Sequence, residues 1–211
     1  MHGKKLLLVT SSLPNEGKTT ISTNLAIAAA SRGKKVLLID GNLYSPSIHK
    51  LFEKENLPKK KGLADILLSY DNPEEAIISS PIPKLDLILG GDRIEDPSNI
   101  LAGEQLKRLL ETVKQSYDYV IFDSSPAAML SDTSDIANLM DAVLFVIRQD
   151  YTRIEYAKEG LALLSESGIL SLGCVMNYAE AGLGSYGYGY YEYRYNKYQY
   201  GRYSRYSEKE D

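Results

Sequence analysis

Cysteine is nearly absent: Cys174 stands alone among 211 residues. A single thiol excludes an intrachain disulfide and any zinc site built on cysteine, and it fits a reducing compartment. Histidine is almost as scarce. His2 and His49 have no Cys or His partner at ligand spacing, so both read as surface residues. No run approaches the ~20 apolar residues that a membrane-spanning helix needs. Met1-His2-Gly3-Lys4-Lys5 leads directly into an apolar run with no small-residue cleavage site, which is not the pattern of a secretory signal. Positive charge is not in excess either. The net charge of −4 argues against a nucleic-acid platform.

Tryptophan is missing and phenylalanine occurs three times, yet there are seventeen tyrosines, ten of them between Tyr186 and Tyr206. The chain therefore reads as two populations. Residues 1–178 have ordinary globular composition and suit one sizeable α/β domain. Residues 179–211 open on Ala179-Glu180-Ala181-Gly182-Leu183-Gly184 and then carry Tyr, Gly, Arg, Ser, Lys and Glu without one aliphatic side chain. Such a tail buries too little apolar surface to offset its ordering entropy, so it is expected to be disordered, or ordered only in an assembly.

Within the first part, strands and helices alternate. Leu6–Thr10, Lys35–Asp40, Leu85–Leu89, Tyr117–Asp123, Ala142–Arg148 and Leu170–Asn177 are short apolar runs of the kind buried on both faces of a parallel sheet. Thr19–Ser31, with Gly33 as its stop, Gly103–Ser116 and Arg153–Ser167 have helical patterning. Shorter helices are expected over Gly62–Ser69, Pro73–Ser79 and Ser131–Met140, the last capped by Ser131 or Asp132. This order predicts a doubly wound, mostly parallel α/β sheet with its ligand at the carboxyl ends of the strands.

The chemistry sits at those ends. Ser12-Leu13-Pro14-Asn15-Glu16-Gly17-Lys18-Thr19 has the spacing of a phosphate-binding P-loop, with Ser12 where the first glycine usually stands. Ser12, Pro14, Asn15, Glu16 and Gly17 shape the loop, and its N–H groups (Pro14 has none) form an anion nest with the start of the next helix at Lys18-Thr19-Thr20. Lys18 is placed to reach the β- and γ-phosphates, and the Thr19 hydroxyl to ligate Mg²⁺. Asp40 and Asp123 each close a strand beside this loop and are natural partners for Mg²⁺, direct or through water. The Lys59-Lys60-Lys61 run reads as a solvated loop, with a docking role as the alternative.

These segments resemble the bacterial tyrosine kinases, the P-loop autokinases of capsule and exopolysaccharide export. Val9–Thr20 looks like their Walker A segment, Val36–Pro46 like their second motif (Asp-x-Asp-x-Arg-x-Pro), and Tyr117–Pro126 like their Walker B strand. Gly173–Asn177 is similar to the strand that presents an adenine-reading Asn, here Asn177. The resemblance implies a P-loop NTPase fold of the deviant Walker A class, ATP and Mg²⁺ as ligands, and catalytic roles for Lys18, Asp40 and Asp123. It implies that Tyr186, Tyr188, Tyr190, Tyr191, Tyr193, Tyr195, Tyr198, Tyr200, Tyr203 and Tyr206 accept phosphate from a neighbouring subunit. It further implies a transmembrane activator or polysaccharide co-polymerase as partner, a ring or dimer of the chain itself, and a place at the cytoplasmic face of the membrane.

The departures are specific. Asn42 stands where the family has its second motif carboxylate, a candidate general base, and Tyr44 stands where it has Arg. The family's Glu/Arg-rich assembly helix precedes its first strand, and this sequence starts after that point. One alternative is therefore an ATP-binding pseudokinase or scaffold. A second is a partitioning-type ATPase, against which Leu13 counts, because that class carries a Lys early in the loop. The tail has alternatives too: an adhesive low-complexity tract, or an anion- or RNA-binding one through Arg194, Lys197, Arg202 and Arg205.

Overall fold

The computed structural model describes residues 4–55, 57–69, 72–127 and 132–180, with backbone only at 54 and 132. One unit runs to Asn177; of the unit that follows it, Tyr178 to Glu180 are described. The expected tail disorder, the ten tail tyrosines and the cap at Ser131 lie outside the described residues.

Among its described residues the first unit holds a sheet of seven strands: β1 (Leu6–Ser11), β2 (Val36–Asp40), β3 (Ile78–Ser79), β4 (Leu85–Ile88), β5 (Tyr119–Asp123), β6 (Ala142–Arg148) and β7 (Leu170–Asn177). Their order across the sheet is β3-β4-β2-β5-β1-β6-β7. Every pair is parallel except β3 with β4. The central strands are continuous apolar runs because both faces are covered. Along β2, Leu37 and Ile39 enter one core while Val36 and Leu38 enter the other.

The helices are α1 (Lys18–Ser31), α2 (Ile48–Leu51), α3 (Leu63–Ser69), α4 (Ser98–Leu101), α5 (Glu104–Ser116), α6 (Asp132–Asn138) and α7 (Ile154–Glu166). The larger core lies under α3, α5, α6 and α7, and α1 and α2 close the other face. In α5, Leu106, Leu109, Leu110 and Val113 form the buried stripe that the sequence spacing predicted. Helix α1 stops where Gly33 takes φ 85°, a left-handed conformation that favours glycine.

The expected helix over Pro73–Ser79 is corrected. Pro73–Glu75 make one 3-10 turn, and Ile78–Ser79 then pair antiparallel with Leu87 and Asp86 at the sheet's edge. Pro73 supplies a helical start, but the unpaired edge of β4 captures the backbone of Ile78 and Ser79. Two short helices, α2 and α4, carry no periodic pattern long enough to be read from sequence.

The strand order decides where the chemistry falls. Strands β2, β5 and β1 are consecutive in the sheet, so Asp40, Asp123 and the loop after Ser11 emerge side by side. Asp40 and Asp123 are direct register partners.

Candidate active site

The loop after β1 turns twice through positive φ, at Asn15 (61°) and Gly17 (88°). The second turn delivers Lys18 as the first residue of α1 with no acidic residue in its first turn. A helix start of this kind presents N–H groups and a partial positive charge to an anion. Lys18 is 6% exposed. Burial pushes its ammonium down from the usual lysine value, while Asp123 and Glu16 pull it back up.

The Thr19 hydroxyl donates to Asp123 Oδ2 at 2.6 Å and lies 3.1 Å from Ser47 Oγ. Asp40 Oδ2 accepts from the backbone N–H groups of Ser47 (2.8 Å) and Ile48 (2.9 Å), which fastens the start of α2. Both carboxylates are fully buried. Burial, then the negative charge of Asp40, pushes the Asp123 carboxyl up to about 7 against the pull of Thr19, Lys18 and Ser22. Burial also raises Asp40, opposed by the amides of Ile48, Ser47 and Asn42.

Each carboxylate has one oxygen engaged and one without a hydrogen-bond partner, Asp40 Oδ1 and Asp123 Oδ1; Asn42 Oδ1 and Ser12 Oγ are buried without partners as well. Unpartnered buried oxygens cost free energy unless a ligand answers them. Two neighbouring carboxylate oxygens and a threonine hydroxyl suit Mg²⁺, which keeps water and phosphate oxygens in its shell. Among the described residues no group of three or more His, Cys, Asp or Glu is placed to hold a metal ion. Gly90 belongs to the same wall, since a Cβ there would lie 2.7 Å from Pro46 Cβ and 3.5 Å from Asp40 Cγ.

A family profile described as "AAA domain" matches residues 15–168. Tyrosine-protein kinase YwqD of Bacillus subtilis is 35% identical over 82% of this chain and 72% of its own length. Tyrosine-protein kinase ptk of Acinetobacter johnsonii is 32% identical over 86% of this chain, which spans only 24% of that longer protein. The kinase domain of Escherichia coli tyrosine kinase ETK superposes with a TM-score of 0.77 at 28% identity, covering 89% of this chain and 74% of that one.

The chain belongs to the bacterial tyrosine-protein kinases. Its fold is that of the P-loop NTPases, nucleotide binders that work with a metal. A cell-division ATPase, MinD of Pyrococcus horikoshii, shares that fold (TM-score 0.70) at 21% identity.

In the kinase, Lys18, Thr19, Asp40 and Asp123 converge as their positions at the strand ends implied. The loop residues divide by role. Pro14 and Thr20 are exposed. The Glu16 side chain is fully buried and turned into the loop, where Oε2 accepts from the Leu13 N–H (2.7 Å) and Oε1 from the Thr152 hydroxyl. Glu16 can therefore meet a nucleotide only through its backbone. Asn177 ends β7, and its Nδ2 donates to the Glu16 carbonyl at 3.0 Å. Sequence reasoning missed Ser47, Gly90, Arg148 and Thr152. The Ser45-Pro46-Ser47 turn before Ile48 hinted at a helix start, but nothing local marks Thr152, 136 positions from Glu16.

Proposed function

We propose that this kinase transfers the γ-phosphoryl group of ATP, with Mg²⁺, to tyrosines of its own C-terminal cluster, Tyr186 to Tyr206, in a neighbouring subunit. The observation that carries the reading is the meeting of Lys18, the Thr19 hydroxyl and the two unpartnered oxygens of Asp40 and Asp123 in one buried corner. The loop amides and Lys18 would hold the phosphates, Thr19 and Asp123 would hold the metal, and Asn177 would meet the adenine edge. Bound Mg²⁺ supplies charge neutralisation on the phosphate oxygens.

A tail phenol oxygen bonds to the γ-phosphorus as the bond to the β-phosphate oxygen breaks, and ADP leaves. The phenolic proton needs an acceptor, and the Asn42 amide is not one. Asp40, at the end of the same strand, is the carboxylate left to take it. Each added phosphate brings about −1.5 to −2 charges, so several would invert the sign of the tail and switch its assembly. The resemblance supports a transmembrane activator as partner, a location at the inner face of the membrane, and control of capsular or exopolysaccharide synthesis and export as the outcome. Among the described residues no helix is long and apolar enough to cross a membrane.

The test is a phosphosite map by mass spectrometry after incubation with ATP, Mg²⁺ and the activator, for the chain as it stands and for Asn42→Asp. Phosphotyrosine within 186–206 is expected from both, and faster by about 10²–10⁴-fold from Asn42→Asp if proton removal limits the rate. ATP binding without phosphotyrosine in either form would replace the kinase reading with the scaffold one.

A further inference from the structure

The loop that receives the phosphates is held from outside by a set of contacts that the reaction itself does not use. The Thr152 hydroxyl accepts from the Arg148 N–H (2.8 Å) and donates to Glu16, whose other oxygen holds the Leu13 N–H. The Arg148 guanidinium donates to the Asn15 carbonyl at 3.0 Å, and Asn177 Nδ2 donates to the Glu16 carbonyl at 3.0 Å. Across a trans peptide the C=O and the following N–H point in opposite directions. Fixing the carbonyls of Asn15 and Glu16 outward therefore turns the N–H groups of Glu16 and Gly17 the other way. Neither of those two N–H groups donates to a protein acceptor among the described residues. They are left for an anion.

We propose that Thr152, with Arg148, is a positioning residue for phosphate binding: the ends of β6 and β7 clamp the loop so that two amides stay aimed at the nucleotide's phosphates before it arrives. The proposal rests on the reading of Ser12–Thr19 as the phosphate site. Pre-aimed donors bind more tightly because their ordering cost is already met by the fold. Without the hydroxyl, the buried Glu16 carboxylate keeps the Leu13 N–H and the attraction of Lys18 but loses one of its two hydrogen bonds, and a buried carboxylate so short of donors reorganises what surrounds it.

The experiment is titration of the full chain with ADP and Mg²⁺ by calorimetry, for the wild type, Thr152→Val, Thr152→Ser and Arg148→Met, with thermal unfolding of each. Thr152→Val is expected to weaken ADP about tenfold, Thr152→Ser to stay within about threefold of wild type, and Arg148→Met, at a partly exposed position, to weaken it about threefold to tenfold while leaving the melting temperature unchanged. Phosphotransfer at saturating ATP should change less than the KM for ATP. Loss in Thr152→Ser as large as in Thr152→Val, or unaltered affinity in Arg148→Met, would overturn the clamp. If Thr152→Val does not fold, Arg148→Met decides alone. A wild type that binds no ADP overturns the phosphate-site reading instead, so the two failures are distinguishable.

Discussion

Replacing Asp123 with Asn should stabilise the metal-free protein at alkaline pH while it removes function. Asp123 is fully buried beside Asp40, and its carboxyl is pushed from 3.8 up to about 7. The unfolded chain releases this proton near 4, the folded chain only near 7. Between those values the folded state binds more protons, so stability falls as pH rises through the window and is level above it. At about 1.36 kcal/mol per pH unit, the ionised carboxylate costs the fold about 4 kcal/mol above pH 7. The Asn amide is nearly isosteric and keeps an acceptor for the Thr19 hydroxyl. Its own burial costs about 1–2 kcal/mol, which leaves a net gain of about 2 kcal/mol. The assay is urea unfolding in chelator at pH 5 and pH 8.5, with and without Mg²⁺ and ADP. Asp123→Asn should be the more stable at pH 8.5, the gap should close or reverse at pH 5, and only the wild type should gain strongly from Mg²⁺ and ADP. A variant less stable than wild type at pH 8.5, or a gap independent of pH, would refute this account of the buried pair.

Lys18→Met should weaken nucleotide at least about 30-fold by calorimetry, since it deletes a buried cation at the start of α1 beside the phosphate loop. It should also push the Asp123 transition to higher pH, because Lys18 now holds that carboxyl down. Gly41→Ala puts a Cβ 2.0 Å from the Phe122 ring in the core, and denaturation should register a loss of about 1–3 kcal/mol. Asp141 accepts from the N–H groups of Lys5 and Leu6 and pairs with Lys114. Burial resists its ionisation, but those partners outweigh it and hold its carboxyl below the usual value. Its contribution should be present above pH 4 and fade as the pH falls below that, so an Asp141→Asn comparison by thermal melts should show a gap that shrinks in acid.

Where residues are neighbours in the chain or repeat with a fixed period, the sequence was informative. The runs at β1, β2 and β5 read as doubly buried strands because nearly every position is apolar, and Gly33 read as a helix stop because α1 needs a left-handed residue there. Asp40 and Asp123, closing β2 and β5, were legible as site candidates because each carboxylate ends an apolar run beside the Ser12–Thr19 loop. Pro73–Ser79 failed because the local helical start was overruled by a pairing with β4 that involves only two residues. The Asp40 bonds to the start of α2 and the Thr152 bond to Glu16 were invisible for different reasons: the first spans only seven or eight positions but follows no helical or strand period, and the second joins segments 136 positions apart whose proximity exists only after the sheet has closed.

The split duty of Asp40 has a practical consequence for anyone who wants a dead enzyme as a control. One of its oxygens is buried without a hydrogen-bond partner, available for the proposed chemistry, and the other latches Ser47 and Ile48. A substitution at 40 would thus unfasten a helix whatever it did to the proposed chemistry, and a cell carrying it would confuse lost catalysis with lost shape. Among the described residues the Lys18 side chain makes no hydrogen bond that latches another segment in this way. A phenotype that appears in Asp40 variants and not in Lys18→Met would report on the α2 segment as a surface in its own right.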